Sequence, residues 1–225
     1  MKARPILFNA HMVRALLEDR KTNTRRILKP QPEGGLLGVV KERKTYWFKG
    51  GEKSSIEVKC PFGQVGDLLW VRETFLISGH EEEYGAHYYR ADPLDNSWVL
   101  RNHEDYPKWT PSIFMKRLSS RLTLEIIDIR VEQLQDISED DALAEGIVQY
   151  EGIVDIRCYG GSPVEIKGVR YGINEGDYEC PIKAYAELWK SINGKDSWDA
   201  DPWVWVIEFK VHKSNIDSFL EAKTL

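Results

Sequence analysis

The sequence predicts an α+β fold, a mostly antiparallel β-barrel decorated with short helices and long insertions. Three observations carry that prediction: five or six runs read as strands, helical runs are few and short, and the two kinds do not alternate as a parallel sheet would require.

Each element has its own reason. Ile6 to Phe8 is a short apolar strand, and Asn9 after it is placed to cap a helix in which Met12, Val13, Leu16 and Leu17 recur at helical spacing. Thr24 to Leu28 reads as extended, and Pro30 and Pro32 end it. In PFGQVGDLLWVRETF, Gly66 and Asp67 form a turn before a β-rich run from Leu68 to Phe75. Ser120 to Leu134 alternates as one long or bent strand, with Leu122, Leu124, Ile126 and Ile129 inward. DISEDDALAEGI reads as a short helix. Ser138 is its N-cap, Glu139, Asp140 and Asp141 suit the positive end of its dipole, and Gly146 stops it. Pro181 to Ile192 is a second helix that opens on proline and closes at Asn193-Gly194, with Tyr185, Leu188, Trp189 and Ile192 on one face. Pro202 to Val211, PWVWVIEFKV, is apolar on both faces, as a central strand is.

Segments 32–60, 76–110 and 148–180 are rich in glycine, charge and aromatic residues, with too little periodic apolar sequence to form cores of their own. The chain therefore reads as a single domain, 1–225, carrying three insertions.

Composition narrows the function classes. With 31 Lys and Arg against 36 Asp and Glu, the net charge of -5 does not advertise a nucleic-acid binder, although a local basic cluster can still act as one. Cys60, Cys158 and Cys180 lack CxxC spacing, and the five histidines lack HxH or HExxH spacing. These patterns lead us to expect no disulfide scaffold, no metal and no cofactor. No run approaches the roughly 20 apolar residues of a membrane span, and MKARPILFNA is not a signal peptide, so a cytoplasmic protein without a membrane partner is expected.

The chemistry concentrates in EDRKTNTRR, residues 18–26. Taken singly, Lys21 reads as a lysine at a helix C-terminus, Thr24 as a strand surface residue, and Glu145 as a solvated helix carboxylate. Together they suggest more. A threonine hydroxyl needs a base within hydrogen-bond reach, and an amine three residues earlier can serve if burial or neighbouring charge lowers its pKa. Arg25 and Arg26 would push Lys21 that way. A competing use is open, because Arg4, Arg14, Arg20, Arg25, Arg26, Lys29, Lys116, Arg117 and Arg121, with Trp70, Trp109 and Phe114 as stacking faces, suit single-stranded nucleic acid.

The blocks RPILFNA, RKTNTRR, GDLLWVRETF, PSIFMKRLSSRLTLEI, ISEDDALAEGI and WDADPWVWVIEF resemble the ASCH-domain family, and its long phage and prophage members in particular. The resemblance implies a PUA-like barrel. The family signature Gly-x-Lys-x-x-Glu-x-Arg falls on Asp19, Lys21, Thr24 and Arg26, with glycine and glutamate both replaced. A lysine and a threonine at those spacings are similar to the small bacterial amidohydrolases of N4-acetylcytidine within the family. That likeness implies Lys21, Thr24 and Glu145 as catalytic residues of a metal-independent hydrolase. Arg26, Trp70, Arg72, Glu73, Arg117 and Ser119 are the expected substrate contacts, with Arg72 reaching either the substrate or Glu145. The alternatives the resemblance leaves open are RNA binding or cleavage, RNA being favoured over DNA, and a phage accessory protein without catalysis.

Overall fold

The computed structural model describes residues 1–33, 36–40, 45–49, 55–78, 86–92, 109–159, 162–172 and 178–223. It is mixed α+β, with a mainly antiparallel multi-strand sheet and few helices. In chain order the described elements are β1 (Ala3–Leu7), α1 (Ala10–Leu17), β2 (Asn23–Ile27), β3 (Leu36–Val40), β4 (Thr45–Lys49), β5 (Ser55–Lys59), β6 (Leu68–Arg72), β7 (Phe75–Ser78), β8 (Ala86–Tyr89) and β9 (Thr123–Gln133). There follow α2 (Glu139–Ala144), β10 (Val148–Tyr159), β11 (Ser162–Gly172), α3 (Pro181–Asn193), β12 (Trp203–His212) and α4 (Ile216–Lys223). The principal sheet has the order β1-β6-β9-β12-β2, in which β1 and β6 are parallel while β6 and β9, and β12 and β2, are antiparallel.

Residues gather into two compact units, each built from separated stretches of chain, and β9 and β12 contribute to both. The first comprises Met1–Asp19, Pro61–Asp128 and Phe209–Leu225. Its parallel β1-β6 pair is pinned by the Gly66-Asp67 turn, where the Asp67 carboxylate accepts from the Lys2 backbone N–H at 2.6 Å and from Arg4 Nη1 at 3.1 Å. Leu68, Trp70 and Ile216 form a small core there with Phe219 and Leu220 of α4 against it. The run expected from Leu68 to Phe75 is two strands: β6 ends at Arg72, Glu73 turns inward to an arginine, and β7 pairs with β8 in a sheet of its own.

The second unit comprises Arg20–Cys60 and Ile129–Glu208. Strand alternation divides its side chains. Val204 and Val206 of β12 join Ala142 of α2 and Tyr185, Leu188 and Trp189 of α3 in one core, with Ile27 against it. Trp205 points the other way and meets Tyr46 of β4 edge-on at 5.2 Å, while Trp203 meets Phe48 at the same distance. The insertion at 32–60 thus contributes a three-stranded sheet whose buried Tyr46 and Phe48 pack on the other face of β12, more than its weak periodicity promised. The insertion at 148–180 forms the β10-β11 hairpin, and much of 76–110 lies outside the described residues.

The helices follow their caps. Asn9 Oδ1 accepts from the Met12 N–H at 2.9 Å, and Ser138 Oγ from the Asp141 N–H at 3.1 Å. Gly146, at φ +101°, lets the chain leave α2 in the left-handed region. Because α2 is only six residues long, its cap carries much of its local stability. Ser138→Ala should cost about 1 kcal/mol, read as a lowered urea midpoint with an unchanged m-value. On α3 the buried face is Tyr185, Leu188 and Trp189; Ile192, expected with them, is 47 % exposed in the last turn.

Candidate functional site

The site is built from β2, the two residues that precede it, Lys21 and Thr22, and the C-terminus of α2. Lys21 forms an isolated antiparallel bridge with Glu145, and the Thr22 N–H donates to the Ala144 carbonyl at 2.9 Å. This backbone contact places both side chains in the interior. Lys21 is 0 % exposed and Glu145 2 %. Lys21 Nζ donates to Glu145 Oε2 at 2.5 Å and to the Glu145 carbonyl at 2.9 Å. The other carboxylate oxygen, Oε1, accepts from Arg25 Nη1 at 3.5 Å and from the Tyr185 hydroxyl at 3.4 Å.

A wider ionic network backs this pair. Arg25, also buried, donates to Glu132 through Nε at 3.0 Å and Nη2 at 2.5 Å, and to Asp141 Oδ2 at 2.8 Å. Arg130 donates to Glu132, Asp141 and Glu208. The chain arranges this with two periodicities: Arg130 and Glu132 lie two apart on a strand, and Asp141 and Glu145 lie four apart along α2 and its C-cap, so each pair shares a face.

Burial dominates the electrostatics. It pushes the Lys21 ammonium below its ordinary pKa; the Glu145 carboxylate opposes this, and Arg26 and Arg25 add to the lowering. The Tyr185 phenol is raised well above its ordinary value by burial and by the Glu145 charge. Burial also lowers Arg26, with Glu145 and Tyr185 opposing. A lysine that is easier to deprotonate than usual, beside a fixed carboxylate, is a group able to take and return a proton near a reacting atom. Thr24 is 1 % exposed and pairs with Ile207, and alternation puts it with Arg26 on the face of β2 opposite Asn23 and Arg25.

The remaining expected contacts, Trp70, Arg72, Glu73, Arg117 and Ser119, belong to the first unit. Arg72 donates to the Met115 carbonyl at 2.9 Å, its guanidinium 5.0 Å from the Trp70 ring. Glu73 is buried in a two-pronged bond with Arg121, at 2.9 and 3.1 Å, and burial raises its pKa against the pull of that arginine. Ser119 Oγ lies 3.0 Å from His87 Nε2. Arg117 bonds Asp217 of α4 at the surface. Among the residues that sequence reasoning did not single out for the site are Asn23, Arg130, Glu132, Asp141 and Tyr185. The signal available in the sequence was the opposite-charge pair Arg130 and Glu132, two apart and so on one face of the long strand.

Among the described residues no group of His, Cys, Asp and Glu could hold a metal ion, and no helix is long and apolar enough to cross a membrane. Comparison of the chain with protein families, with curated proteins and with solved structures returns no match.

Proposed function

We propose that the chain is an ASCH-type protein of PUA-like fold that hydrolyses the N-acyl group of a modified pyrimidine nucleoside at the Lys21 centre. The observation supporting this reading is the wholly buried Lys21, held at 2.5 Å by Glu145 three residues before a buried Thr24. In the proposed reaction an opening step brings Thr24 Oγ1 to Lys21 Nζ, and neutral Lys21 takes the hydroxyl proton as Oγ1 attacks the acyl carbon. The resulting ammonium gives that proton to the departing nitrogen, which frees the nucleoside and leaves an ester on Thr24. Water, deprotonated with help from Glu145, then cleaves the ester and releases the carboxylic acid. All three side chains are sealed from solvent here, so turnover includes an opening step.

The test is incubation with N4-acetylcytidine, followed by chromatography. Cytidine release by the wild-type protein is expected, with rates at least ~100-fold lower for Lys21→Ala and Thr24→Ala. Intact nucleoside after incubation with folded wild-type protein would sink the reading.

A second reading has its own observation. Phe114 is 62 % exposed, with exposed Ile113 and Leu118 and the basic Arg117 close by in the chain. An exposed aromatic beside positive charge suits single-stranded RNA. Labelled single-stranded RNA in the same assay, with Phe114→Ala as control, tests it; binding that ignores the substitution counts against this face.

A further inference from the structure

In the first unit the tight turn Arg117–Ser119 is fixed by side chains from three other segments. Asn215 Nδ2 donates to the Arg117, Leu118 and Ser120 carbonyls at 3.0, 3.1 and 2.7 Å, and the Tyr89 hydroxyl donates to the Ser119 carbonyl at 2.9 Å. Ser120 Oγ ties the chain to the Val71 carbonyl at 2.8 Å. These bonds hold the backbone on both sides of Ser119 and leave its hydroxyl unused, so the side chain projects from a rigid support.

That hydroxyl meets an imidazole. Ser119 is 3 % exposed, and its Oγ lies 3.0 Å from His87 Nε2, the partner seen for it among the described residues. A buried hydroxyl proton without an acceptor is costly, so the hydroxyl donates to Nε2 and the ring proton sits on Nδ1. This is the tautomer a general base requires. The adjacent serine behaves differently, since Ser120 Oγ contacts only the backbone carbonyls of Val71 and Leu122. Alternation along β8 puts His87 and Tyr89 on one face, where their rings stack with centroids 6.3 Å apart. Tyr89 is covered in turn by the Arg121 guanidinium at 3.9 Å, and Arg121 is locked to the buried Glu73. The imidazole is therefore held by a neighbour that is itself held.

We propose that Ser119 and His87 form a second catalytic centre, a nucleophile and its base, which hydrolyses carboxylic esters. Ser119 Oγ bonds to the acyl carbon as the bond from that carbon to the alcohol oxygen breaks. The hydroxyl proton passes to His87 Nε2 and from there to the departing alkoxide. Water then gives a proton to the same nitrogen, cleaves the acyl-serine and releases the acid, and the proton returns to Oγ. Leu118, 60 % exposed and next to Ser119 in the chain, offers an apolar contact, which favours apolar acyl groups. Because Ser119 is buried while His87 is partly exposed, binding includes a local opening that uncovers Oγ. The centre is independent of the Lys21 reading.

The experiment treats the full chain with an alkyl fluorophosphonate, which phosphonylates an activated serine with loss of fluoride, and locates the adduct by peptide mass spectrometry. Release of p-nitrophenol from p-nitrophenyl butyrate is followed in parallel. The wild type should carry the adduct on Ser119 and turn over the ester; Ser119→Ala should do neither. His87→Gln keeps a polar partner for Ser119 but takes no proton at working pH, so labelling should slow ~100-fold or more. Added imidazole should restore labelling to His87→Ala, which a purely structural histidine would not allow. A folded wild type without an adduct, an adduct on another residue such as Thr24, or His87→Gln labelled at the wild-type rate overturns the assignment. Labelling of Ser119 without ester turnover overturns the hydrolase.

Discussion

Glu145→Ala is expected to destabilise the protein by about 3–5 kcal/mol, because it removes one partner of a buried ion pair and leaves the other charge in place. The Lys21 ammonium would keep the Glu145 carbonyl, 2.9 Å away, but lose the Glu145 carboxylate it meets at 2.5 Å. Arg25 and Tyr185 lose a shared acceptor at the same time. Lys21→Met should cost less, since Arg25 and Tyr185 still satisfy the carboxylate that remains. The double variant Lys21→Met with Glu145→Leu removes both charges and fills their volume, so it should lie within about 1–2 kcal/mol of wild type. Urea unfolding of the four proteins closes the cycle. A cost for Glu145→Ala below about 1 kcal/mol would mean that Lys21 escapes to water and that the pair does not need its burial.

How far the sequence anticipated this arrangement depends on the range of the interaction. Local signals were dependable: Asn9 and Ser138 cap the helices they were expected to cap, and Leu122 just before β9 is buried with Leu124, Ile126 and Ile129 within it. Caps and alternation act over two to four residues, so a single sequence displays them. The parallel pairing of β1 with β6 joins stretches some sixty residues apart, and nothing local encodes it. Leu68 to Phe75 read as one strand because its apolar content is continuous, yet Glu73 is drawn to Arg121, 48 residues away, and the run breaks there. The site divides in the same way. Lys21 and Thr24 stand out as a short motif, while Arg25 meets Asp141 across 116 residues and Glu132 across 107. Asn23 gave no signal at all, since its amide is accounted for by Asp141, 118 residues away.

Stability should rise with alkalinity through Lys21, and the sign follows from the direction of its shift. Its folded-state pKa lies below the ordinary lysine value of 10.5, with burial as the main cause and Glu145 opposing. Between the folded value and 10.5 the unfolded chain still holds a proton that the folded chain has released. The unfolded state then binds more protons, so the unfolding free energy increases with pH, by at most about 1.4 kcal/mol per unit for one group. Below the folded pKa both states are protonated, and the full cost of the buried charge is present and constant. Lys21→Met exchanges no proton, and the other titrating groups largely cancel in the difference between the two proteins. Urea unfolding of both from pH 7 to 10.5 should therefore show the wild type gaining on the variant as pH rises. A difference that stays flat across the range would place the lysine proton outside it. That result would also remove Lys21 as the base of the proposed reaction, because an amine that keeps its proton up to pH 10.5 cannot accept one from Thr24 near neutrality.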